Sequence, residues 1–201
     1  MSEKNERKKI AFYIGSLRKG GAERVFVNLA DYFQSEGYRV VMVTQYQKEE
    51  EYDLPDGIVR ILSDIEEEKV SASRAVNFFK RLNKLHVIWK EQKPDLVLSC
   101  IGKNNFMAVV TAMGTKTKAV VSVVGEAKEE YPSKGMRMLA DVLFSCAAGI
   151  VLQTERSRSF FCGKVGKKAV ILPNSLNPAF IRPRYAGARE KKIVSVGRMD
   201  A

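Results

Sequence analysis

The chain has little with which to hold a metal or cross a membrane. It contains one histidine, His86, and three cysteines, at positions 100, 146 and 162, none in a C-x-x-C pair. Metal centres are built from clusters of such ligands at short spacing, so none is expected. Three thiols leave one over from any intramolecular pairing. With apolar or basic neighbours, they read as the reduced cysteines of a cytosolic protein. No apolar run approaches the roughly 18 residues of a membrane span. The charged opening MSEKNERKK is not followed by an apolar stretch long enough for export. Neither G-x-G-x-x-G nor G-x-x-x-x-G-K-[ST] occurs, and no acidic residue cleanly ends the second predicted strand. A nicotinamide-binding domain is thereby disfavoured. Zinc-finger, RNP and helix-turn-helix signatures are missing, and aromatics do not interleave with basic residues on a strand, which argues against a nucleic-acid partner.

What is present suits one α/β domain or slightly more: 201 residues, 45% hydrophobic and 28% charged. The net charge of +11 favours polyanions or an anionic membrane face, here the inner face of a membrane approached from the cytoplasm.

The chain is organised around Lys8 to Val27. Ile10 to Ile14 is an apolar run that predicts a buried strand. A loop follows with Gly15, Ser16, Gly20 and Gly21, and a helix begins at Ala22 with Val25, Phe26, Leu29, Ala30 and Phe33 on one face. Strand, glycine loop and helix together aim free N–H groups and a partial positive charge at an anion. The same Gly-Gly is also what a tight βα turn needs.

Gly37 is placed to end this helix. Strands are predicted at Tyr38–Thr44, Ile58–Leu62, Leu96–Cys100, Lys118–Val124, Gly149–Gln153 and Lys168–Leu172. Ser71 or Ser73 caps an amphipathic, basic helix ending before Pro94, with His86 at the edge of its core face. Gly102–Asn105 reads as a loop before a helix at Phe106–Met113. Gly125–Gly135 reads as a long polar connection before a helix at Met136–Ser145, and Thr154 caps a helix opening with Glu155. Strands alternating with helices predict a Rossmann-like, doubly wound, mostly parallel sheet with helices on both faces. In such a sheet ligands sit at the carboxyl ends of the strands. The loops at Ser16–Gly21, Gly102–Asn105, Gly125–Pro132 and Gln153–Thr154 should therefore share one crevice. Residues 1–174 form this domain. Residues 175–190 read as a linker, and 191–201 as the first strand of a second, truncated domain.

GGAERV, GIVLQTE, VILPNSLNPAF and IVSVGRMD, in that order and each in its predicted structural place, resemble family 4 glycosyltransferases of the GT-B type. The resemblance runs from Lys9 to Asp200 and covers only the N-terminal, acceptor-side domain. It implies a retaining, hexosyltransferase-type enzyme of polysaccharide assembly, which moves a sugar from a nucleotide-diphosphate sugar to a glycan or lipid-linked glycan. No metal or other cofactor is implied. The missing C-terminal domain would carry the nucleotide-sugar site, so this fragment alone should be inactive. The alternative is a stand-alone phosphate- or sugar-binding module without catalysis.

By the same resemblance, Gly20 and Gly21, with Arg18 and Lys19, would approach the donor diphosphate. Glu23 would face the acceptor or serve the helix dipole. Lys103, Asn104 and Asn105 would line the acceptor side. Relatives carry a basic residue just after the fifth strand, where Ser122–Ala127 here places Val124. Either Arg18, Lys19 or Lys128 substitutes at the leaving phosphate or the donor contact differs; Lys128 is also an acceptor-side candidate, and Glu126 is the candidate catalytic carboxylate.

Overall fold

The computed structural model describes residues 8–66 and 69–174, with isolated positions 183, 186, 187, 192 and 193. The linker predicted over 175–190 and the strand predicted from Lys191 lie outside the described residues but for those positions. Seven strands form one parallel sheet in the order β3-β2-β1-β4-β5-β6-β7. They are β1 (Lys9–Ile14), β2 (Arg39–Thr44), β3 (Val59–Leu62), β4 (Leu96–Cys100), β5 (Lys118–Val123), β6 (Gly149–Leu152) and β7 (Ala169–Ile171). β1 pairs with β2 on one side and β4 on the other, so the direction of winding reverses between β1 and β4. At that reversal the connecting loops part and leave a crevice.

Side chains alternate across each strand, and β1 feeds two cores. Ala11 and Tyr13 enter a large cluster with Trp89, Met107, Phe144 and Val165. Ile10, Phe12 and Ile14 enter a smaller one with Phe26 and Ala30. The large core lies under α2 (Arg74–Gln92), α3 (Gly102–Ala112), α5 (Lys134–Cys146) and α7 (Gly163–Lys168). The small one lies under α1 (Gly21–Ser35). Trp89 is buried edge-on to Tyr13, its ring 6.1 Å away, and its indole N–H donates to Thr111 Oγ1 at 2.9 Å. His86 sits at the rim of this core, with Nδ1 2.8 Å from Thr111 O.

The helix signals act as the sequence indicates. Gly37 takes a φ of +86° after α1. Its N–H bonds Gln34 O, the Tyr38 N–H bonds Phe33 O, and the Phe33 and Tyr38 rings pack at 5.4 Å. That is a Schellman ending with its usual apolar contact. Ser73, not Ser71, caps α2 through Val76 N–H, and Thr154 caps α6 (Glu155–Phe160) through Ser157 N–H.

Three helical expectations are corrected. α3 begins at Gly102, not Phe106, so Lys103, Asn104 and Asn105 lie in its first turn and not in a loop. Asparagine is a poor helix former, and here tertiary bonds override that preference. The polar connection after β5 contains a short helix, α4 (Ala127–Glu130), anchored by buried Ala127. α7 is unannounced because two glycines break its pattern; buried Val165 holds it.

Candidate functional site

A cleft of about 340 Å³ opens at the carboxyl ends of the strands, lined by Gly21, Ala22, Val25, Ile101, Val124, Gly125, Glu130 and Asn174. The start of α1, the β4–α3 junction and the β5–α4 loop thus meet at the winding reversal, as the strand order requires. A groove of about 330 Å³ between the β3–α2 segment and α2 touches none of these strand ends.

Glu130 organises the cleft. Its Oε1 accepts from the N–H groups of Val124 at 3.1 Å and Gly125 at 2.8 Å, and its Oε2 accepts from Gly102 N–H at 2.8 Å. One carboxylate therefore ties the β5–α4 loop to the first turn of α3. A carboxylate offers about four acceptor positions, so about one remains for a ligand. Glu23 is the counterpart at α1. Its carboxylate folds back over Gly20, where an added methyl would collide with Glu23 Oε2. Gly20 itself is extended, with φ −134°, so its backbone does not require glycine; Gly21 has open space where a side chain would start. The two helix starts facing this rim thus already carry internal anions, a favourable placement for the helix dipoles.

Buried Cys100, at the end of β4, lies between these groups. Burial pushes its thiol well above the ordinary value, and the charges of Glu23 and Glu130 push it further, so it is a neutral thiol. Ile101 follows with a φ of +70°. A β-branched residue in that region is strained by about 1–3 kcal/mol, and here the strained residue forms a wall of the cleft.

The other predicted site residues fall differently. Asn105 is fully buried. Its Oδ1 accepts from Ser99 Oγ at 2.8 Å, and its Nδ2 donates to Ser122 O at 2.9 Å and Tyr131 Oη at 3.2 Å. Its amide is used inside the core and does not face an acceptor. Asn104 is half-buried, with Nδ2 3.4 Å from Cys100 O; Lys103 and Lys128 are exposed on α3 and α4. Glu126 precedes α4 and pairs with Arg156 at 3.4 Å, outside the cleft lining. Arg18 and Lys19 are exposed and also outside that lining. Their loop is clipped to the segment after β2, with Arg18 bridging Glu51 and Lys19 N–H donating to Glu50 O at 3.3 Å.

Glu51 is the centre of that clip. It accepts from Leu17 N–H at 3.1 Å, Lys48 N–H at 3.0 Å and the Arg60 guanidinium at 2.5 Å. Burial raises its carboxyl, but these three donors outweigh burial and hold it below the usual carboxylate range. Sequence reading missed both Glu51 and Glu130. Glu130 lies in the polar run GEAKEEYPSKG, and its position only means something once α4 is known to turn it back on the strand ends.

Comparison with known proteins bears on the fold. No family model matches the chain. Over 200 residues it is 28% identical to a Campylobacter jejuni enzyme, the GalNAc-α-(1→4)-GalNAc-α-(1→3)-diNAcBac-PP-undecaprenol α-1,4-N-acetyl-D-galactosaminyltransferase. The match takes in 96% of this chain and 53% of that enzyme, so the chain spans about half the length of the relative. Among solved structures it is similar to Anabaena HepE in complex with UDP and glucose, with a TM-score of 0.63 and 14% identity over 85% of this chain and 45% of that one. The lipopolysaccharide outer core galactosyltransferase WaaB gives 0.64 and 14% over 84% and 46%, and Acinetobacter baumannii MurG gives 0.58 and 13% over 88% and 48%. The fold is that of one half of a GT-B glycosyltransferase, and the chain resembles the N-terminal domain of such an enzyme.

Proposed function

We propose that this chain is the acceptor-binding N-terminal domain of a retaining, family 4 glycosyltransferase, of hexosyltransferase type. In this reading it transfers a sugar from a nucleotide-diphosphate sugar to a glycan or lipid-linked glycan, without a metal, at the cytoplasmic side of a membrane. The observation that carries the acceptor role is the lining of the rim cleft. Val25, Ile101 and Val124 are apolar, Glu130 keeps about one acceptor position, and among the described residues no lysine or arginine lines it. Apolar walls take the C–H face of a sugar ring, and a carboxylate takes its hydroxyl. A phosphate would meet Glu130 as a like charge. The C. jejuni relative, whose name describes a glycan on undecaprenyl diphosphate, supports a lipid-linked acceptor.

The donor diphosphate belongs to Gly20 and Gly21 N–H, with Arg18 and Lys19 at the loop edge, once Glu23 swings off the helix start. Glu126, just before α4, and Lys128, on α4, border this path. The rest of the donor site comes from a second domain, consistent with the match covering about half of each relative. Leaving-group stabilisation then rests on N–H groups and cations from both halves.

Saturation-transfer NMR of this chain tests the reading, using an oligosaccharide ending in N-acetylgalactosamine, UDP, and inorganic phosphate. Contact with the oligosaccharide, lost in Val25→Asp, together with no turnover of UDP-sugars by this chain, is expected. Turnover by this chain alone refutes the half-enzyme. Phosphate or UDP contact without saccharide contact favours the non-catalytic anion-binding module.

A further inference from the structure

The loop between β1 and α1 is bonded along its length to the segment after β2. Leu17 is fully buried in the small core, and both its backbone groups are used. Its N–H donates to Glu51 Oε1 at 3.1 Å, and its carbonyl accepts from Tyr52 N–H at 2.8 Å. Arg18 and Glu51 form an antiparallel backbone bridge, and Lys19 N–H donates to Glu50 O at 3.3 Å. At the near end of the loop, Gly15 O accepts from the N–H groups of Gln45 and Tyr46 at 3.0 and 3.1 Å. Glu50 adopts a φ of +53°, which a residue with a side chain keeps only where its surroundings impose it. The carbonyl that holds Lys19 thus belongs to a strained residue.

Glu51 is in turn fixed from β3. Arg60 donates through Nη1 to Glu51 Oε2 at 2.5 Å, through Nε to Thr44 Oγ1 at 3.0 Å and through Nη2 to Tyr46 O at 3.1 Å. The Arg60 and Glu51 side chains are 19% and 8% exposed, so the pair is largely withdrawn from water. Such a pair, held by further hydrogen bonds, keeps one geometry where a surface pair does not. One guanidinium thereby links the edge strand β3 to a loop two strands away.

We propose that Glu51, clamped by Arg60, is a positioning residue for the donor diphosphate: it sets the Leu17–Lys19 backbone so that Arg18, Lys19 and the Gly20 and Gly21 N–H groups meet the diphosphate together. The role rests on the donor-diphosphate reading of that loop. The core needs only Leu17. The bonds at Arg18 and Lys19 fix exposed residues that bury nothing, and they end where Gly20 begins. A loop ordered in advance spares a ligand the cost of ordering it. Arg60 neutralises Glu51, so the clamp adds no net charge beside an anion.

The test compares this chain with Glu51→Ala, Glu51→Gln and Arg60→Lys. UDP binding is measured by calorimetry, and contact with the N-acetylgalactosamine-terminated oligosaccharide by saturation-transfer NMR. Circular dichroism checks that each variant is folded; if Glu51→Ala is not, the two conservative variants decide. UDP affinity should fall roughly tenfold in Glu51→Ala and less in Glu51→Gln and Arg60→Lys, which keep part of the clamp. The Leu17 and Tyr52 amides should lose protection from hydrogen exchange in the same order. Saccharide contact should stay at the parent level, because Phe26 and Ala30 hold the body of α1 in the core and the other cleft walls lie on other elements. A purely structural clamp would leave both ligands bound as in the parent, and that result overturns the proposal. So does an equal loss of both ligands, which reports general damage to the rim. No UDP binding by the parent chain overturns the donor-diphosphate reading itself, and the positioning role with it.

Discussion

Glu130 Oε2 accepts the Gly102 N–H at 2.8 Å, joining residues 28 apart in the chain at the start of α3. Through its other oxygen the same carboxylate holds the β5–α4 loop. The cleft rim depends on this one side chain, which fills the place an external anion would otherwise take.

Glu130→Ala leaves three backbone donors without their partner. Each orphaned group costs about 1–3 kcal/mol if it stays dry, and water at the half-open rim recovers part of that. We expect a loss of about 2–3 kcal/mol in urea unfolding, together with weaker saccharide contact. A loss below 0.5 kcal/mol, the range of ordinary surface changes, would show that the rim does not rest on Glu130.

Ile101 is held with φ +70°. Ile101→Gly removes that strain, offset in part by the extra freedom of glycine in the unfolded chain. Stability should rise by about 1 kcal/mol, while saccharide contact falls because the apolar wall is gone. Thermal unfolding and NMR on the same sample check both directions. A destabilised variant contradicts the strain argument.

The Glu51 carboxyl is held below the ordinary glutamate value of 4.5. A depressed folded pKa means that the folded state holds the ionised form more tightly than the unfolded chain does. The stability so gained is complete above about pH 4.5 and is lost as pH falls through the folded value. Glu51→Gln should cost about 2 kcal/mol at neutral pH. The gap to the parent protein should close in acid, as measured by urea midpoints between neutral and acid pH. A gap that does not change with pH rules the carboxylate out as the cause.

Glu23 covers the start of α1 with negative charge. Glu23→Gln removes a dipole interaction of about 0.5 kcal/mol. It also removes a like charge from the path of a diphosphate, so UDP should bind several-fold more tightly by calorimetry. Weaker UDP binding would place Glu23 among the ligand contacts instead.

Much of this was legible along the chain. Val-rich runs at Arg39–Thr44 and Lys118–Val123 must be buried on both faces, and such runs separated by helices leave few alternatives to a parallel sheet. Gly37 after Phe33, Ser73 before Val76, and Thr154 before Ser157 are local rules satisfied within a few residues. The rim itself was also implied, since alternation forces the post-strand loops of β1, β4 and β5 to one edge.

What local reading could not supply was the direction of side chains across that edge. Asn105 and Glu130 look alike in sequence, as polar residues beside turns. Three core partners draw Asn105 inward, and three backbone donors from two loops draw Glu130 to the cleft. Those partners lie 5 to 28 residues away in sequence, and the hydrogen bonds exist only once β4, β5, α3 and α4 are packed. Backbone periodicity is a property of neighbours in the chain and can be read there; which polar group a fold satisfies internally, and which it leaves for a ligand, is settled by neighbours in space.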